Sequence, residues 1–231
     1  MGTATGALRA DEVREAIADV RDPELDESLV KLGFVAGVDV TEEDVTIRLL
    51  VPTYFCAANF TWLMAEDLRR AAARVAGGRR VKVLLGDHFV DEEISEGVNA
   101  GARFQEAFSG LADDELDELR VHFWRKAMTA RQWQVAEALR ARGWSLEALG
   151  GARLGDAPPS IATSRLQELR ALLGVSTAPD SPLFVRPDGR PIPVDELEIR
   201  LEFARLTSVS LETNGEYCRG LFAVRYEGGA K

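Results

Sequence analysis

Two cysteines and two histidines are all that this 231-residue chain offers for thiol chemistry or soft-metal ligation. Two thiols at this length do not make a disulfide framework, so a reducing cytoplasm is the compartment expected. Aromatic residues are scarce at 7%. No run approaches the roughly 18 apolar residues of a membrane span. The opening Met1-Gly-Thr-Ala-Thr-Gly-Ala7 lacks a basic start followed by an apolar stretch, so no secretory signal is expected. Lys/Arg runs are also absent, and the formal net charge is −10. Residues 1–100 hold 11 basic and 19 acidic side chains, so most of the excess lies there. Such a surface repels a phosphate backbone and excludes nucleic acid as the expected partner, while a cation or a basic protein surface is favoured. There is no Walker loop, no dinucleotide fingerprint after a strand, no Cys-x-x-Cys, no Gly-x-Ser-x-Gly and no His-Glu-x-x-His.

What is present is a foldable composition, 46% hydrophobic and 29% charged, rich in Ala and Leu and therefore in expected helix. Asp11 can cap a helix carrying Val13, Ala16, Ile17 and Val20, broken at Asp22-Pro23. Phe34–Val40 reads as a strand. Val45, Ile47, Leu49 and Val51 alternate along a second, which Pro52 ends. A helix spans about Ala57–Val75, stopped at Gly77-Gly78, and Val81–Leu85 is a third strand. This α-β-β-α-β order predicts a small mixed-sheet domain over residues 1–100, with one crossover helix. Residues 101–158 read as a helical region, and helix is expected on to about residue 174, with Ser109 a cap, Thr129-Ala-Arg-Gln132 and Ser164-Arg-Leu-Gln167 as capping-box patterns, and Gly155–Pro159 as a linker. Residues 159–231 read as a small α+β region. In it Pro187-Asp-Gly189 is a turn, Asp195–Leu206 leans to helix, and Asn214-Gly215 sits in an expected β-hairpin over residues 209–226. The overall fold class is α+β, with an α/β-like first domain. The four tryptophans (Trp62, Trp124, Trp133 and Trp144) are read as packing residues.

Cys56 is the most informative position. It follows a strand and a proline-led loop, at the predicted start of a helix. A helix N-terminus favours an anion, and the thiolate is the form that attacks electrophiles and binds soft metals. The alternative is a small buried apolar side chain. Val20-Arg-Asp-Pro-Glu-Leu25, Ser28-Leu-Val-Lys-Leu-Gly-Phe-Val35, Val45–Val51 and Pro52-Thr-Tyr-Phe-Cys56 follow one another in a pattern that resembles the metal–sulfur (iron–sulfur) cluster assembly domain shared by SufT, PaaD and the eukaryotic cytosolic iron–sulfur targeting factor. The resemblance covers about residues 10–90. It implies a part in maturing iron–sulfur or other iron-dependent proteins, with Cys56 as the reactive cysteine and the Asp22 turn near its loop. By residue type alone, Asp22-Pro23-Glu24 suits a type I turn.

His88 and Asp87 follow the third strand. If that strand lies parallel to the second, both join Cys56 at one sheet edge, and imidazole, carboxylate and thiolate suit iron or zinc. A lone histidine also has an ordinary structural reading. Cys218 falls with Phe222, Val224 and Tyr226 on an apolar face, so burial is its first reading, with Arg219 beside it as an activating charge. The Cys218-Arg-Gly-Leu221 tail is similar to C-terminal extensions of assembly-like proteins linked to bacterial di-iron monooxygenases. A fold-back of that tail would bring Cys218 toward Cys56. Candidate ligands are thus Cys56, Cys218, His88 and Asp87, supported by Asp22, Thr53 and Arg219. The expected role is an accessory factor, not an enzyme, that transiently holds iron, an iron–sulfur cluster or sulfur. Its client is an iron protein, or a di-iron monooxygenase hydroxylase. A metal-free adaptor and a cysteine-nucleophile enzyme with His88 as base are the alternatives. Neither nucleic acid nor membrane is an expected partner, and self-association into a homodimer is left open.

Overall fold

The alternation from Val45 to Val51 puts four apolar side chains on one side of a strand, and all four are buried. The computed structural model describes residues 8–108 and 116–228. In it, β1 (Val35–Val40) and β2 (Asp44–Leu50) form an antiparallel hairpin. Its turn is fixed by the Thr41 hydroxyl, which accepts from Asp44 N at 2.9 Å. α2 (Ala58–Ala73) then crosses over to β3 (Arg80–Gly86), which pairs with β2 in parallel, Leu49 opposite Leu85. With α1 (Ala10–Ala16) this is the α-β-β-α-β order expected from the sequence. The sheet order is β1-β2-β3, so the C-terminal ends of β2 and β3 share one edge. Val13, Ile17, Leu29, Phe34, Leu68 and Val83 join the buried alternation to form the core. Each fully buried Leu or Phe of this kind stabilises the fold by about 1.5–3 kcal/mol.

β3 is an edge strand, and α3 (Asp91–Ala100), a helix with no clear sequence signal, closes it. The Asn99 amide accepts from Val83 N and donates to Val83 O, both at 2.9 Å, and Ser95 Oγ accepts from Leu85 N at 3.0 Å. Polar side chains thereby pair backbone groups that would otherwise offer a docking edge. α3 lies against α2 at Gly97, where an added Cβ would stand 2.5 Å from Trp62 Cη2. That ring is held edge-on by Phe104 of α4 (Phe104–Ala107) and by Phe108, with centroids at 5.5 and 6.1 Å. It has no room to retreat. Gly97→Ala is therefore expected to lower stability by about 1–2 kcal/mol, the strain exceeding alanine's helix preference, and a urea melt checks it.

The chain divides into two units, residues up to 116 with those from 215 onward, and residues 117–214. This differs from the three consecutive segments read from the sequence. The Gly155–Pro159 stretch is no linker, because Leu154 is buried, Leu154 N donates to Ser181 O and Gly155 N to Pro179 O. The second unit contains all but the first residue of α5 (Leu116–Arg140), α6 (Leu146–Gly150), a short 3-10 turn at Leu154–Asp156, α7 (Ile161–Leu172) and most of α8 (Val194–Phe222). They enclose Met128, Leu139, Leu149, Leu169, Leu183 and Leu197. Trp133 is buried there, with Trp124 and Trp144 packed against the same cluster.

Thr129 does not open a helix. It lies mid-way along α5, its hydroxyl donating to Arg125 O, and Gln132 is buried with its amide bridging Val185 N and O at 2.7 and 3.1 Å. Ser160, not Ser164, caps α7 by accepting from Thr163 N. The Ser109 cap lies outside the described residues. The turn at 187–189 is present, with Arg186 N donating to Arg190 O and Gly189 at φ +82°.

The expected hairpin over 209–226 is a helix instead. Leu197, Leu201, Ala204, Ser208, Leu211, Gly215 and Phe222 are all buried, the first six spaced three or four apart and Phe222 seven residues, two turns, further on. One helical stripe therefore runs straight through Asn214-Gly215. Gly costs a helix only about 1 kcal/mol. Packing of the flanking stripe outweighs that and the local turn preference. No helix among the described residues is long and apolar enough to cross a membrane.

Candidate functional site

Cys56 lies in the loop from β2 to α2, two residues before the helix starts, with Ala57 as its N-cap. Pro52 ends the strand, and Cys56 N donates to Thr53 O at 3.4 Å, curling the loop so that the Thr53 hydroxyl sits 3.3 Å from Cys56 Sγ. The thiol is half-buried. Tyr54, Phe55 and Phe89 are exposed around it, and Phe55 most of all, at 77%. Their rings stack on one another with centroids 5.0–6.4 Å apart. Phe89 N donates to Tyr54 O at 3.2 Å, stitching the two loops that carry them.

The parallel β2–β3 pairing brings His88 to the cysteine loop, as its place after the third strand implied, but with a different job. Its ring is buried, Nδ1 accepts from Val90 N, and Nε2 donates to Cys56 O at 2.7 Å. Both nitrogens are engaged, so His88 pins the cysteine's backbone and does not face its sulfur. That geometry speaks against a His88–Cys56 base–nucleophile pair. Asp87, at φ +57°, turns the chain after β3, and its carboxylate stands 3.5 Å from Arg225 Nη2. Among the described residues no three His, Cys, Asp or Glu side chains converge as a metal-holding group. The four-ligand set Cys56, Cys218, His88 and Asp87 is therefore not assembled.

Asp22 does form the turn its sequence suggested. Oδ1 accepts from Glu24 N and Leu25 N at 2.8 and 2.9 Å. Burial pushes its carboxyl up to about 6, outweighing those two donors, and the charges of Glu24 and Glu27 add to the rise.

Residues 215–228 belong with the first unit. Phe222 lies against Phe34, with centroids 5.2 Å apart, and Arg219 pairs with Glu27. Beyond α8 a π-helical turn, Ala223–Glu227, carries Arg225 and Tyr226, both donating to Val51 O, at 3.2 and 3.3 Å. Arg225 also donates to Asp87 O. Cys218 is thereby held half-buried, within electrostatic reach of Asp22 and Cys56. Its thiol is pushed up to about 11, by burial first and then by Asp22, Cys56 and Glu24. Arg219 does not activate it as expected, because its charge is the smallest influence and is already tied to Glu27. At neutral pH Cys218 therefore holds about 100-fold less thiolate than an ordinary cysteine. Iodoacetamide at pH 7.5, followed by peptide mass spectrometry, is expected to modify Cys218 slower than a free thiol by about that factor.

Sequence reasoning missed Tyr226, Arg225 and the exposed ring cluster. The only available signal was the concentration of Tyr54, Phe55 and Phe89 around Cys56 in a chain poor in aromatics.

Residues 10–85 match the family model described as iron-sulfur cluster assembly protein. Over 87 residues, 37% of this chain and 90% of the other, the chain is 26% identical to an uncharacterized protein of Methanocaldococcus jannaschii. No solved structure matches the chain. The sheet, the Asp22 turn and Cys56 thus lie inside a segment that matches the iron–sulfur cluster assembly family, while His88 and Cys218 lie outside it.

Proposed function

We propose that this chain is an accessory factor in iron–sulfur cluster assembly or iron-centre maturation, with Cys56 as the sulfur that transiently holds the cargo. The observation that carries this reading is the placement of the Cys56 thiol. It is half-buried at the strand-end edge of the sheet, in the segment matching the assembly family, on a loop fixed by His88 and Thr53. Cargo transfer needs exchangeable ligands rather than a closed cage, and a site with few protein ligands meets that need. Cys218 is the second sulfur of the site, held in reserve as a protonated thiol until cargo displaces its proton. The three exposed rings supply the surface that a client apoprotein must touch to reach the thiol. The client is an iron protein, either an iron–sulfur protein or a di-iron monooxygenase hydroxylase, as the tail similarity suggests.

Co-expression tests the reading. Candidate iron–sulfur proteins and di-iron hydroxylases are produced with and without this chain, and their iron content is measured after purification. At least one client is expected to gain iron only when the chain is present. Unchanged iron in every candidate counts against the proposal.

A further inference from the structure

α8 is apolar on two sides, and only one of them is buried. Within the second unit, Leu197, Leu201, Ala204, Ser208 and Leu211 form its inward stripe. Ile199, Phe203, Leu206 and Val209 recur three or four residues apart about half a turn away, and are 71, 63, 59 and 48% exposed. A helix apolar all round is normally buried all round. These four side chains expose roughly 500 Å² of apolar surface, the upper end of what a monomer shows. Beside them lies a largely apolar groove lined by Phe184, Pro187, Ile192, Phe203 and Ala204, with Arg186 and Arg200 also on its wall.

We propose that this face is where two copies of the chain pair. Three observations favour a second copy over another occupant. First, the surface is self-complementary. It carries projecting side chains and a receiving groove next to each other, which is what a two-fold interface requires, since each copy then gives its stripe and takes the other's. Second, the rim carries charges of both signs in a chain of net charge −10. Arg200 pairs with Glu196 at 3.5 Å and Arg205 with Glu202 at 3.0 Å, so part of the acidic charge flanking the stripe, to which Asp195 and Glu198 also contribute, is offset where two copies approach. Third, the area suffices. Two copies of the stripe offer up to about 1,000 Å² for burial, the size at which a specific interface begins.

Sedimentation velocity on the full chain tests this, from about 1 to 100 µM protein because a dimer responds to concentration. Twice the chain mass is expected in the upper part of that range. Phe203→Glu and Leu206→Glu, each at an exposed site, are expected to sediment at the single-chain mass, with unchanged helical circular dichroism and melting temperature. A wild type at single-chain mass throughout overturns the proposal and leaves the face to a different protein. A dimer that survives both substitutions overturns it as well.

Discussion

Cys56→Ser is expected to abolish the gain in client iron, returning a responsive client to the level seen without this chain. Serine fills nearly the same space and can keep the contact to Thr53, so the fold is expected to stay intact. What changes is the ligand, because a hydroxyl is neither ionised at neutral pH nor soft enough for iron–sulfur chemistry. Loss of a mere outer partner of a metal ligand costs about 10–100-fold in affinity, so loss of the sulfur itself costs at least as much. Cys218→Ser should be milder, since its thiol is held protonated and yields only when cargo arrives. Full client iron with Cys56→Ser would sink the transfer mechanism. It would leave a metal-free adaptor working through Tyr54, Phe55 and Phe89.

The strand pair and its crossover were legible because alternation from Val45 to Val51 has no other sensible reading, and Pro52 and Gly77-Gly78 punctuate it. Cys56 stood out for the same reason, as the one thiol at a strand-to-helix junction. The tail was misread because Asn214-Gly215 is a strong local signal, whereas the stripe that overrides it spans seven helical turns and shows its meaning only once Leu211 and Phe222 have surfaces to pack against. α3 was missed because Ser95 and Asn99 look like ordinary polar positions, and their task, closing the β3 edge, is defined by a strand ten to sixteen residues earlier. His88 was correctly drawn to the cysteine loop by topology. Its two hydrogen bonds could not be anticipated, because the Cys56 carbonyl leaves no mark in the sequence.

Asp22→Asn is expected to stabilise the protein at neutral pH and to do so less in acid. The folded-state carboxyl titrates near 6 and the unfolded one at the ordinary 3.8. Between those values the unfolded chain has released its proton while the folded chain still holds one. Stability therefore falls as pH rises through that window, and above it the full cost of a buried carboxylate, about 3 kcal/mol, is in place. Asparagine keeps the Oδ1 acceptor for Glu24 N and Leu25 N but carries no charge. Urea melts should show a gain of about 2–3 kcal/mol at pH 7.5, shrinking to about 1 kcal/mol near pH 4.5. A gain independent of pH would mean that the carboxyl does not titrate as burial dictates, and a loss would mean that its charge supports the fold. The same variant has a chemical readout. The Asp22 carboxylate is one of the charges that hold the Cys218 thiol near 11, so removing it should speed alkylation of Cys218 at pH 7.5. A rate unchanged from wild type would show that Asp22 and Cys218 do not sense each other.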